Sequence, residues 1–325
     1  MKFVARRNIL KWLSIATLTS GQASAQQQFT KPIKLIIPGP PGGASDTIAR
    51  ILSEDITRAL GQPLVIEPRP GVGGNLATEM VAKAAPDGHT VLLGDIGPLA
   101  INVTLFPSLP FDPVRDFEPI ARLAVFPWIV VAHPSLGAKS LKELFEIARK
   151  SSAGISFATP GQGTPMHLTG ALLAKTSGAN FQHIPYKGGA PATLDVVAGH
   201  VKVGIVGLPP AAQHVKNGSL IPIGVSTGQR SALLPEVPTL QEAGLSGFDA
   251  GVWYGFLAPK GSPKPLIDKF SAAVQVALSN PASVEKMRKS GVSPSFLNGA
   301  EFASFIEAEG KRWGPLVKAS GAKVE

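Results

Sequence analysis

The chain has 325 residues, 44% apolar and 16% charged, which is ample material for two cores and too little charge for a disordered chain. Aromatic residues make up only 6%, against a nucleic-acid binder built on stacked rings, and the absence of cysteine excludes disulfides, thiolate catalysis and cysteine zinc sites. The formal charge of +9 overstates the basic character: from Gln26 onward 27 basic side chains face 22 acidic ones, scattered as in Lys139-Ser140-Leu141-Lys142-Glu143, so no nucleic-acid partner is expected.

The first 25 residues read as a cleaved export signal. Met1–Lys11 is basic and without acids, Trp12–Leu18 is mostly apolar, and Ala23-Ser24-Ala25 gives the small-x-small pattern of a cleavage site. The apolar run is too short for a membrane anchor. Arg6-Arg7-Asn8-Ile9-Leu10-Lys11 also resembles a twin-arginine signal, so Sec and twin-arginine export both stay open. A periplasmic location follows from either, and the lack of cysteine excludes a lipoprotein anchor.

Strands and helices then alternate. Ile33–Ile37 is a β-branched run, Ser45–Leu60 carries apolar residues on one helical face and ends at Gly61, and Leu64–Ile66 is a second strand. Asn75–Ala85 reads as a helix and Thr90–Leu93 as a third strand. The pattern restarts with Trp128–Ala132 (strand), Leu141–Lys150 (helix), Ile155–Ala158 (strand) and Pro165–Thr176 (helix). Phe181–Ile184, Val203–Val206 and Ile221–Val225 are further strands, with a helix at Ala190–Ala198 between the first two. Phe248–Leu257 is extended, followed by helices over 264–279 and 300–318, too few elements for a sheet of their own. This order predicts an α/β fold with two mostly parallel, helix-flanked sheets. The expected domains are 26–127 plus 248–325, discontinuous, and 128–247, inserted; the chain crosses near 124–130 and 245–252.

Two loops share a design. Pro38-Gly39-Pro40-Pro41-Gly42-Gly43-Ala44-Ser45-Asp46 and Ala158-Thr159-Pro160-Gly161-Gln162-Gly163-Thr164-Pro165 each follow a strand, are rich in glycine and proline, and open a helix through a hydroxyl residue. Unpaired amides at a helix N-terminus favour anions, and loops at the carboxyl ends of parallel strands are where open α/β sheets bind ligands. Facing each other across a cleft, the pair could grip an organic acid; taken singly, each reads as a capped turn.

Other chemistries find little support. Gly71-Val72-Gly73-Gly74-Asn75-Leu76 starts like a dinucleotide fingerprint but ends in Leu76, and there is no phosphate loop, no G-x-S-x-G elbow and no H-E-x-x-H. The six histidines include no i,i+4 pair, so neither metal nor cofactor is expected. His167 lies near the start of its helix, as a cleft residue or as one bonding a neighbouring loop. Asp95, at the end of the third strand, either caps a turn or receives a ligand amine.

The opening Lys31-Pro32-Ile33-Lys34-Leu35-Ile36-Ile37-Pro38 with Pro40-Pro41-Gly42-Gly43 and Asp46-Thr47-Ile48-Ala49-Arg50 resembles the Bug family, the periplasmic receptors of tripartite tricarboxylate transporters. The likeness continues through Glu67–Gly74, Ala85–Thr90, Phe111–Phe117, Gly161–Leu168 and His183–Gly188. It implies a two-domain Venus-flytrap fold and a carboxylate ligand held by the two loops through backbone amides, hydroxyls and ordered water. Carried over, the first loop supplies Pro40, Pro41, Gly42, Gly43, Ser45 and Asp46. The second supplies Ala158, Thr159, Gly161, Gly163, Thr164 and His167, with Tyr186 nearby. Integral-membrane transporter subunits are implied as partners, and a monomer is expected. Gly39 departs from the aromatic residue common in the family, which should enlarge one end of the pocket. The competing class is a secreted α/β hydrolase or isomerase using Asp46, Asp95 and His167, which would need a nucleophile-base pattern that the sequence does not display.

Overall fold

The computed structural model describes residues 28–322, so the export signal lies outside the described residues. β1 (Ile33–Ile37), buried at four of its five positions, pairs in parallel with β2 (Leu64–Pro68) on one side and later with β3 (Thr90–Asp95) on the other. α1 (Ala44–Leu60) makes the first crossover, turning Ile48, Leu52, Ile56 and Leu60 to the sheet. It stops at Gly61, whose φ of 73° is the left-handed region that glycine enters without penalty. α2 (Asn75–Ala82) makes the second crossover, three residues shorter than expected. Past β3 a π turn at Gly97–Ile101 runs into α3 (Asn102–Leu105).

β4 (Phe117–Phe126) is followed, after Pro127 alone, by β5 (Trp128–Ala132) of a second sheet. That sheet is completed through α4 (Leu141–Lys150), β6 (Ile155–Thr159), α5 (Pro165–Ser177), β7 (Phe181–Pro185), α6 (Gly189–Val197), β8 (Val203–Gly207), α7 (Leu208–Lys216) and β9 (Ile221–Val225). The chain returns by β10 (Val252–Pro259), then α8 (Lys264–Ser279), α9 (Pro281–Lys289), β11 (Ser293–Asn298) and α10 (Gly299–Ser320). Strand order is β11-β4-β10-β3-β1-β2 in the first sheet and β7-β6-β8-β5-β9 in the second.

Both sheets are mixed, which corrects the expectation of mostly parallel ladders. The strands that carry the chain out and back lie side by side and run in opposite directions. β4 and β10 are therefore antiparallel in the first sheet, as are β5 and β9 in the second. The parallel character survives in the crossover units β1–β2, β1–β3, β6–β7 and β6–β8.

The last helices pack on the first sheet, α8 against α1 and α10 across β4, and α10 also reaches α5 of the second body. One buried cluster runs through both bodies, from Ile36 and Leu92 to Val130 and Phe157, with Trp128, Trp253 and Trp313 where they meet. Glu309 of α10 anchors this junction: its Oε2 accepts from the indole nitrogens of Trp253 (2.9 Å) and Trp313 (3.0 Å).

Candidate functional site

A cavity of about 850 Å³ opens between the two bodies. The first body contributes Val72 and Gly73 after β2, Asp95 at the end of β3 with Ile96 and Gly97 beyond it, and Asn102, Leu105 and Phe106; the second contributes Gln162–Pro165 and Pro185. Val252, on the returning strand, lies between them. The walls carry neither lysine nor arginine. Its polar groups are backbone amides, the Thr164 hydroxyl, the Asn102 and Gln162 side-chain amides, and a single carboxylate.

That carboxylate is Asp95, which caps its turn and also borders the cavity. Its Oδ1 accepts from the Gly97 amide at 2.8 Å, capping the turn, while the side chain lines the cavity. Although partly open to the cavity, the group is crowded by protein, and burial pushes its carboxyl from 3.8 up to about 6. Tyr254 stands opposite it across the β3–β10 ladder, its phenol pushed above the ordinary range by burial and then by the Asp95 charge.

The second loop reaches the cavity through Gly163 and Thr164, while the other expected residues brace it from behind. Thr164 Oγ1 donates to the Gly161 carbonyl (2.8 Å) and accepts from the His167 amide (3.3 Å), capping α5. His167 is buried, and its Nδ1 accepts from the Gly163 amide at 3.2 Å, so that nitrogen carries no proton. Its ring stacks on His183 at 3.8 Å, and His183 Nε2 lies 2.6 Å from Thr159 Oγ1. Burial lowers the pKa of His167; burial and then the neighbouring His167 push His183 down to about 4, so the stack is neutral near pH 7. Ala158 and Thr159 are fully buried at the end of β6. The Tyr186 hydroxyl donates to the Asp195 carboxylate on α6 and is pushed up to about 12, by burial first and that carboxylate second. These positions hold the loop; the cavity walls are its tip.

The first loop stands apart from the cavity walls: Pro40, Pro41, Gly42, Gly43, Ser45 and Asp46 are not among the lining residues. Asp46 is buried and turned into its own loop, accepting from Gly42 N (2.9 Å) and from Arg50 Nε (2.9 Å). The Arg50 bond and then the Gly42 bond hold its carboxyl below the usual range. Gly43 N donates to the Pro40 carbonyl at 3.0 Å. The glycine amides expected to face a ligand are thus spent inside their loops, because a tight turn satisfies its own donors first. What remains are first-turn amides of α1, at Ala44 and Ser45, where no side chain caps the helix. The reading of Gly39 is also corrected: a β-carbon there would overlap Ser45 Oγ, and Gly39 does not border the cavity.

Sequence reasoning passed over Gly71–Asn75, whose tip at Val72 and Gly73 forms one cavity wall. Four successive residues there have positive φ, among them Val72 at 49°, a conformation that costs a β-branched residue ~1–2 kcal/mol. Asn102, buried, secures the turn by donating to the Gly73 carbonyl (3.1 Å) and to Asn75 Oδ1 (2.7 Å). The available signal was the glycine cluster itself, set after a strand and before a helix.

Asp46, Asp95 and His167 are each hydrogen-bonded within their own turn or loop, and no bond among the described residues joins any two of them. The hydrolase or isomerase reading thus lacks its relay.

Residues 48–322 match the tripartite tricarboxylate transporter family receptor profile. BugT of Bordetella pertussis is 34% identical over 321 residues, covering 98% of each chain. Among solved structures, an R. palustris protein with adipate is 29% identical with a TM-score of 0.78, covering 91% of this chain and 99% of its own. MatC from Rhodopseudomonas palustris with bound malate is 31% identical with a TM-score of 0.74, covering 89% and 99%. With that share of its length matched, and with two sheets joined by two crossings around one cleft, the chain belongs to the tripartite tricarboxylate transporter receptor family, whose members are periplasmic solute-binding receptors.

Proposed function

We propose that the chain captures a small organic carboxylate in the cleft between its two bodies and presents it to integral-membrane transporter subunits. The observation that carries this reading is the cavity: walls from both bodies, mostly apolar, with neutral donors and one acidic group. Backbone amides and the Gln162 side-chain amide can hold a carboxylate without a cation, and ordered water can extend their reach to the α1 amides. Asp95, ionised above about pH 6, disfavours a second ligand carboxylate near it and attracts an ammonium. An amino acid or a monocarboxylate with an apolar body therefore fits better than a compact tricarboxylate. The malate and adipate bound by the two R. palustris relatives support a small organic acid, while both are dicarboxylates, so the preference for a single carboxylate rests on Asp95 alone.

The same reading has the receptor act as an exported, non-catalytic monomer. Its domains are 26–127 with 248–325, and 128–247, joined at Pro127 and ahead of β10. A thermal-shift panel of mono-, di- and tricarboxylates, aromatic acids and amino acids tests it, with native mass spectrometry to show whether the bound acid is recovered unchanged. At 100 times its Kd a true ligand adds ~2.7 kcal/mol of stability, a shift of several degrees at this size. No shift across the panel, or recovery of a converted product, refutes the receptor.

A further inference from the structure

Behind the crossings lies a second cavity, of about 620 Å³, bordered by both crossing segments at Pro127 and Ala250-Gly251. Val252 lines the front cleft while Gly251 and Trp253 line this rear one, since successive residues of an extended chain face opposite ways. Four arginines reach it from four places: Arg122 on β4, Arg230 after β9, Arg288 on α9 and Arg312 on α10. Only two acids oppose them. Glu309 is taken by two indoles and Arg312 Nη1 (3.3 Å), and Asp249 accepts from Gly228 N. Arg230 borders the cavity while its Nε pairs with Glu242 and its Nη1 donates to the Pro235 carbonyl. Among the described residues, Arg122 and Arg288 lie in the cavity without an ion pair. Arg122 is half-buried, seated over the Phe305 ring at 4.5 Å, with Nη2 donating to Ser295 Oγ at 2.7 Å.

Asp249 and Glu309 lie close enough to favour the Arg122 charge but spend their hydrogen bonds on other donors. Four guanidinium groups thus share two carboxylates, and an added anion can complete the half-buried one. We propose that this rear cavity is a second binding site, for a small oxyanion of the phosphate class, held by Arg122 and Arg288 of the first body with Arg230 of the second. Guanidinium forks match a tetrahedral oxyanion in pairs, and the Ser231 and Ser293 hydroxyls on the same walls add donors.

The test is calorimetric titration with inorganic phosphate at fixed ionic strength. The proteins are the wild type, Arg288→Gln, Arg122→Gln, and Gly163→Val as a front-cleft control. Phosphate should bind the wild type and Gly163→Val alike and at least about 10-fold more weakly to either arginine variant, the loss expected for a charge-assisted bond. Arg122→Gln loses packing on Phe305 and is read only if its melting stays cooperative; Arg288, exposed, decides otherwise. A wild type that binds no phosphate at millimolar concentration overturns the proposal. So does unchanged affinity in Arg288→Gln, or loss confined to Gly163→Val, which would place the anion in the front cleft.

Discussion

Gly163 faces the opposite wall of the cleft: its φ is 73°, and a β-carbon there would overlap the Leu105 side chain of that wall. Gly163→Ala should therefore weaken binding of the best acid from the panel by about 10-fold or more, combining ~1–2 kcal/mol of backbone penalty with obstruction. Titration of Gly163→Ala with Leu105→Ala should recover part of that loss; no recovery would show that the contact does not limit closure. Asp95 supplies a second residue-level test. Its folded carboxyl titrates at about 6 and its unfolded one near 3.8, so the native state binds more protons in that window. Its contribution to stability is least favourable above pH 6, improves as pH falls towards 4, and is fully restored below 3.8. Asn can accept the same Gly97 bond without a charge. Asp95→Asn should melt above wild type at pH 7.5, with the gap closing by about pH 4 in a series of melting scans. In binding, wild type should lose preference for amine-bearing acids below pH 6, and the variant should show none at any pH.

At the scale of elements, α10 and α1 illustrate two ways of fixing a helix. α10 starts with a reciprocal cap between Asn298 and Glu301 and, three turns on, drives Glu309 between two buried indoles. Glu309→Ala would orphan both N–H donors and should cost on the order of 3 kcal/mol, read as a melting temperature lower by several degrees. Glu309→Gln keeps an acceptor and should cost clearly less. α1 has no capping side chain at Gly43, and Asp46 in its first turn serves instead. Asp46→Ala should destabilise by ~1 kcal/mol, since the partner Arg50 is mostly exposed. Because the folded pKa of Asp46 is depressed, that contribution is present above 3.8 and fades as pH falls below it. Elements missed from sequence have local causes. β4 carries Pro119 and Arg122 and buries its residues in pairs, Ile120-Ala121 and Leu123-Ala124, so it shows no alternation. α7 opens Leu208-Pro209-Pro210, which reads as a turn until the prolines are seen at the first positions of a helix, where no N–H is needed. β11 is a polar edge strand with a register shift after Pro294.

For the whole molecule, the question is how far two bodies that share buried residues can move. α10 belongs to the first sheet yet packs on α5, and Trp128 faces Trp313 at 6.4 Å, so closure must slide or tilt these surfaces without parting them. A ligand that touches both walls favours the closed state by its differential affinity. Small-angle scattering should show a smaller radius of gyration with saturating ligand, by a modest amount given that shared cluster. Superimposable curves would mean a preformed pocket and no hinge.

Much of this protein was legible in its sequence because short-range rules govern it. β1, α4, β5, β9 and α8 fall where the apolar runs and caps put them, and Ser140, Asn298 and Gly61 do the capping that their chemistry favours. The ordered motifs from Lys31 to Gly188 already resembled the family that the whole chain matches. What the chain order could not convey is which groups remain free once the fold closes. The glycine amides of both loops, the Asp46 carboxylate and the Tyr186 hydroxyl all looked available, and each is consumed by a neighbour two to nine residues away. The Gly71–Asn75 turn looked incidental, and the sheet brings it together with Asp95 as one wall of the cleft. Strand direction, too, was decided only in three dimensions, when the outgoing and returning strands came to lie side by side. Local propensity acts over a few residues; a binding surface is whatever polarity tertiary packing leaves unsatisfied, and that is settled only when every competing partner has its place.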